Sequence, residues 1–173
     1  MNLAEQCASI RLVLTDVDGV LTDGRIIFDN QGVESKQFHV RDGHGIYLWQ
    51  QTGGQFGIVT GRSSQVVKLR AGELNIGIVR QGVADKLSVV EAICEELQLE
   101  LREVCYVGDD LPDVPAIRAV GLGVAVADAA EEACAAADYT ASLRGGCGAI
   151  REVVELLLKN TNRWDAAVRK YTG

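Results

Sequence analysis

Short apolar runs recur along this chain at Ile10 to Leu14, Phe56 to Val59, Ile76 to Val79, Val104 to Val107 and Leu122 to Val126, with amphipathic stretches between most of them. Strands covered on both faces read as unbroken apolar runs, so this rhythm predicts an α/β protein with a doubly wound, mostly parallel, Rossmann-like sheet. Gly45 to Gln51 reads as a short helix. Ser63 to Leu74 follows, with Val66, Val67, Leu69, Arg70 and Leu74 at helical spacing. Asp85 to Leu97 is clearer, because Leu87, Val90, Ile93, Cys94 and Leu97 return every three or four residues. Pro112 stands where the first turn of a helix tolerates proline, with Ala116 to Val120 continuing it, and the alanine-rich stretch Ala129 to Ala137 is also expected to be helical.

Residues 25–40 break the rhythm. Arg25-Ile26-Ile27-Phe28 and Val33 to Val40 read as the arms of a β-hairpin turning at Asp29 to Gly32. Two strands alone are marginal in water, and an Ile-Ile-Phe face on a projecting hairpin would be exposed unless something covers it. Self-association is the natural cover, and packing on the parent domain is the alternative. The tail, residues 145–173, opens with Gly145-Gly146-Cys147-Gly148, continues as a helix from Ala149 to Leu158 and ends in a polar dozen residues expected to be disordered or docked on another subunit.

The chain has 173 residues and a formal charge of −7. That length suits one domain, residues 1–173, with a real core. The basic residues form no run, which argues against nucleic acid or an acidic membrane as a partner but leaves room for a small anionic substrate in a locally positive pocket. Five cysteines at wide spacings suggest neither a disulfide framework nor a zinc site, so reduced thiols in the cytoplasm are expected. Neither a signal peptide nor a membrane span is read in the sequence.

The chemistry gathers at strand ends. Asp16-Val17-Asp18-Gly19 follows the first apolar run and places two carboxylates at the carboxyl edge of a buried strand, where ligands bind in open α/β sheets. Facing carboxylates repel unless a hard cation such as Mg²⁺ lies between them; a solvated Asx turn is the plainer reading. Thr60-Gly61-Arg62-Ser63 ends the second run with a hydroxyl and a helix start, suited to a phosphate oxygen or to simple capping. Gly108-Asp109-Asp110-Leu111-Pro112-Asp113 ends the fourth, and capping explains only one of its acids. Lys86 opens a helix, where the dipole disfavours a cation, and is either functional or a solvated lysine. His39 and His44 read as structural.

In the order Asp-x-Asp, Thr, Lys, Gly-Asp-Asp-x-x-Asp, these four signals resemble the haloacid dehalogenase superfamily of phosphotransferases, over residues 10–126. The resemblance implies Asp16 as nucleophile, Asp18 as acid/base, Mg²⁺ held by Asp16, the Asp18 backbone carbonyl and Asp109, and phosphoryl binding by Thr60, Gly61 and Lys86. Asp110 and Asp113 are then supporting partners that orient Lys86 or metal-bound water. There is no large cap insertion. The hairpin, Val40-Arg41-Asp42-Gly43-His44-Gly45, Gln81-Gly82 and the Gly-Gly-x-Gly-Ala-Ile-Arg-Glu tail are similar to the 3-deoxy-D-manno-octulosonate 8-phosphate phosphatases of that superfamily, almost to residue 158. That similarity implies a phosphorylated sugar acid of lipopolysaccharide synthesis as substrate and a homotetramer joined through the hairpins, a neighbouring subunit covering each site. The tail departs from the pattern at Cys147, where the family has a basic residue. Arg62 is the candidate for the substrate carboxylate, with Arg70 and Arg151 as further candidates, the latter including from a neighbouring subunit. Two other readings are a phosphatase for nine-carbon sialic-type sugar acids and a non-catalytic phosphatase-like regulatory module.

Overall fold

The computed structural model describes residues 2–173. Its centre is a parallel sheet built from β1 (Leu12–Thr15), β4 (Gln55–Val59), β5 (Ile78–Arg80), β6 (Val104–Gly108), β7 (Leu122–Ala125) and β8 (Tyr139–Thr140), in the order β5-β4-β1-β6-β7-β8. β1 lies between β4 and β6, and the strand order reverses direction from it. All four of its residues are buried, as are all five of β6. Helices flank the sheet: α1 (Leu3–Ser9), α2 (Val40–Gln51), α3 (Gln65–Glu73), α4 (Lys86–Leu97), α5 (Val114–Ala119), α6 (Glu131–Ala136), α7 (Ala149–Asn160) and α8 (Trp164–Thr172). Two apolar clusters result. One holds Val13, Trp49, Ile58, Val107 and Leu157, the other Leu12, Leu14, Val90, Tyr106 and Ile117, which is the two-faced burial expected of alternating residues in a covered sheet.

Three elements differ from the reading of the sequence. α2 starts at Val40, ahead of the expected Gly45, although Gly43 and Gly45 lie inside it. Each glycine costs a helix about 1 kcal/mol relative to alanine. Here they permit close packing: a Cβ on Gly45 would stand 3.1 Å from the Arg151 Cα of α7, and one on Gly43 would meet the Arg70 guanidinium of α3. Asp42 adds to the join by accepting the Arg151 backbone N–H at 2.8 Å. β5 begins at Ile78 because Asn75 turns at φ +54° and the Ile76 N–H bonds back to Ala71 at 2.9 Å, still closing α3. The end of the chain is not disordered. It forms α8, and the ring of Trp164 receives Arg151 at 5.3 Å and Lys159 at 5.1 Å from α7.

The projecting hairpin consists of β2 (Ile27–Phe28) paired antiparallel with β3 (Glu34–Ser35). Asp29 shapes its turn, accepting the Gln31 and Val33 N–H groups at 2.8 Å each, and Gly32 supplies the φ of +78°. Its apolar side stays uncovered within one chain: Phe28 is 55% exposed and Val33 56%. All five cysteines are free thiols. Among the described residues no helix is long and apolar enough to cross a membrane.

Candidate active site

The carboxyl ends of β1, β4 and β6 and the start of α4 meet in a cleft of about 260 Å³. Asp16, Asp18, Thr60, Gly61, Arg62, Lys86, Asp109, Asp110 and Asp113, nine of the eleven residues singled out from the sequence, all line it. The two others lie elsewhere. Arg70 pairs with Glu73 at 3.0 Å beside the Phe38 ring, and Arg151 pairs with Glu155 at 2.8 Å under Trp164, so neither faces the cleft of its own chain.

Asp16 follows β1 directly. Its N–H continues the ladder to the Val107 carbonyl at 3.0 Å, and its Oδ1 accepts the Val17 N–H at 2.6 Å. The other oxygen, Oδ2, accepts from Lys86 Nζ at 2.6 Å. Lys86 donates equally to Asp113 Oδ1 at 2.6 Å, and the Tyr106 hydroxyl donates to that same oxygen at 2.7 Å. Asp113 Oδ2 accepts the backbone N–H groups of Asp109 and Asp110 at 3.1 and 3.2 Å. Asp113 is fully buried and both its oxygens are engaged. Asp110 caps the 3₁₀ turn Leu111–Asp113, accepting the Leu111 N–H at 2.8 Å.

Burial alone would release the Lys86 proton, but the carboxylates of Asp16 and Asp113 outweigh it, and its pKa is raised. Asp16 is raised as well, chiefly by burial, with the Lys86 charge working against the rise. Burial first, then the carboxylates of Asp113 and Asp16, push Asp109 up to about 7. Its Oδ1 is buried without a hydrogen-bond partner. Gly19 allows this crowding: it turns at φ +93°, and any Cβ there would run into the Asp109 carboxylate.

The acids fit a hard divalent cation. Asp16, Asp109 and Asp113 each bring an oxygen within 4.8 Å of the others. Asp113 is already spent on Lys86, Tyr106 and two amides, which leaves Asp16 and the unpartnered Asp109 oxygen to face a cation. All-oxygen ligands of that kind suit Mg²⁺, and its charge would relieve the repulsion that raises Asp109.

Three residues at this site escaped the sequence reading. Tyr106 was hidden inside an apolar strand. Glu34 and Lys36 come from the hairpin, and both meet residues that line the cleft: Lys36 Nζ donates to Asp18 Oδ1, while Glu34 lies 3.0 Å from the Arg62 guanidinium and accepts from the Ser64 hydroxyl. The signal was the spacing of Glu34 and Lys36, which puts both on the polar side of an arm judged by its apolar residues.

The haloacid dehalogenase-like hydrolase family matches residues 69–144. A 3-deoxy-D-manno-octulosonate 8-phosphate phosphatase of Escherichia coli (strain K12) is 44% identical over 166 residues, covering 96% of this chain and 88% of that one. That of Yersinia pestis is 41% identical over 96% of this chain and 89% of its own. Among solved structures, the phosphatase of this name from Moraxella catarrhalis, in complex with magnesium, phosphate and KDO, superposes with a TM-score of 0.97 at 42% identity over 98% of both chains. The cobalt-bound enzyme of Haemophilus influenzae gives 0.90 at 34% identity over 97% of this chain and 96% of that one. With a relative this similar along nearly its whole length, the chain belongs to the haloacid dehalogenase-like hydrolases, among the 3-deoxy-D-manno-octulosonate 8-phosphate phosphatases.

Proposed function

We propose that the chain is a Mg²⁺-dependent phosphomonoesterase that hydrolyses 3-deoxy-D-manno-octulosonate 8-phosphate to the free sugar acid and phosphate. The observation that carries this reading is the pairing at the end of β1: Asp16, clamped by Lys86 at 2.6 Å, with a second carboxylate two residues on. Lys86 and the Val17 amide fix the Asp16 carboxylate, so an oxygen is presented to phosphorus with its orientation already set. Attack forms the Asp16–phosphorus bond as the bond to the sugar oxygen breaks, and Asp18 gives its proton to the departing alkoxide. Asp18, now a carboxylate, takes a proton from water. That water attacks phosphorus and releases phosphate, restoring Asp16. Thr60, Gly61 and Lys86 bind the phosphoryl oxygens, and Arg62 faces the acid end of the sugar. Asp16, the Asp18 carbonyl and Asp109 would hold Mg²⁺, which supplies positive charge against the phosphate and the nucleophile.

The reading extends to a cytoplasmic homotetramer. Its support is the uncovered face of Ile26, Phe28 and Val33, which needs a partner, and its role is to supply free sugar acid for lipopolysaccharide. The test is hydrolysis with Mg²⁺ of phosphorylated sugar acids of eight and nine carbons. Preference for the eight-carbon ester is expected. Preference for the nine-carbon ester would reassign the substrate, and no turnover on either would overturn the reading.

A further inference from the structure

Asp18 has a different kind of support from Asp16. It lies in the loop beyond β1, and among the described residues the only hydrogen bond to its carboxylate comes from Lys36. Around it runs a closed circuit of alternating charge. Lys36 touches Asp18 and lies 3.4 Å from Glu34, Glu34 lies 3.0 Å from Arg62, and Arg62 lies 3.5 Å from Asp18.

The members are unequal. The Lys36 side chain is 1% exposed, an unusual fate for lysine unless it is paired. Arg62 is 39% exposed, and its Nη1 makes an ion contact without a well-aligned hydrogen bond. Lys36 therefore fixes the direction of the Asp18 carboxyl, while Arg62 is held by Glu34 through Nη2 and meets Asp18 only by the looser contact of Nη1. Glu34 braces both cations and is itself anchored by Ser64, the N-cap of α3.

Glu34 and Lys36 belong to an arm whose other side carries the exposed Phe28 and Val33. We infer that Lys36 is a positioning residue: it aims the Asp18 carboxyl at the leaving oxygen, so the acid step depends on the hairpin. The inference rests on the phosphatase reading above. Protonation of the leaving group matters for an alkoxide and hardly at all for a stable phenolate. Loss of the aim is therefore visible as a dependence on the leaving group, which neither a binding role nor a general loss of structure would produce.

The experiment measures leaving-group release before the steady state, with Mg²⁺, from 3-deoxy-D-manno-octulosonate 8-phosphate and from p-nitrophenyl phosphate. Lys36→Met is expected to slow release from the sugar ester on the order of 10²-fold, the size of a lost general acid, and to leave the p-nitrophenol burst within about threefold. KM for the sugar ester stays close to wild type. Lys36→Arg should recover most of the rate. If Lys36→Met does not fold, Glu34→Gln should give the same leaving-group dependence at smaller size, since Lys36 remains but loses its brace. Equal slowing on both substrates, or a raised KM with an unchanged release rate, would overturn the inference. A wild-type chain that releases neither leaving group would overturn the phosphatase reading, and the inference with it.

Discussion

Two clusters of paired acids and cations share one cleft and are built in different ways. The inner cluster, Asp16, Lys86, Asp113 and Tyr106, hangs from β1 and β6, strands buried along their whole length, and from the first turn of α4. The outer one, Asp18, Lys36, Glu34 and Arg62, depends on a hairpin with two-residue strands and an uncovered apolar face. On the proposed roles, the nucleophile Asp16 is oriented by the core of the fold and the acid/base Asp18 by its periphery. A group that must form a bond to phosphorus gains most from rigid placement. One that delivers and later recovers a proton can sit on an arm that answers to what lies above it.

The comparison breaks most visibly at the inner cluster. Asp16→Asn is expected to abolish steady-state turnover, a loss of at least about 10⁴-fold, with the circular dichroism spectrum unchanged. Asp113→Ala should cost about 3 kcal/mol or more in chemical denaturation, because a buried Lys86 loses one of two carboxylates and two amides lose their acceptor. Tyr106→Phe, which removes a single buried donor, should cost about 1 kcal/mol. At the outer cluster, deleting Ile26 to His39 should yield monomers by light scattering; a surviving tetramer would remove the hairpin from the assembly.

A smaller effect reads the inner cluster by pH through Asp109, which lies against it. Asp109 is pushed up to about 7, above its value in an unfolded chain, so folded metal-free protein keeps a proton that the unfolded chain gives up. Its protonated form favours folding at low pH, and that contribution is lost as pH rises from about 4 toward 7. Mg²⁺ binding removes the repulsion and needs the carboxylate. The rise in Tm on adding Mg²⁺ should therefore be larger above about pH 7 than below about pH 5, as calorimetry can check. The smallest effect is expected at Arg70→Ala, with KM for the sugar ester within about twofold of wild type, because Arg70 sits on Phe38 away from the cleft of its own chain.

The inner cluster was largely legible in the sequence, since Asp-x-Asp and Gly-Asp-Asp-x-x-Asp are local patterns and the apolar runs before them say where they end up. Lys86 stood out by opposing the helix dipole. The outer cluster was legible only in Asp18 and Arg62, because Glu34 and Lys36 look like ordinary surface residues until the hairpin folds back on Asp18. Helix α2 was read too short because glycine propensity hides the packing that justifies Gly43 and Gly45. α8 was missed because its apolar residues, Trp164 and Val168, are few and gain their meaning against the main core. Arg70 and Arg151 were chosen for charge, which does not say where a side chain points.

The central claim is that Asp16 carries the phosphoryl group. Rapid acid quench of an Asp18→Asn variant during turnover of 3-deoxy-D-manno-octulosonate 8-phosphate, followed by peptide mass spectrometry, tests it directly. One phosphoryl group on the peptide bearing Asp16, at Asp16 itself, is the predicted result. Substrate consumption with no phosphorylated peptide, or with the label on another residue, would contradict the account.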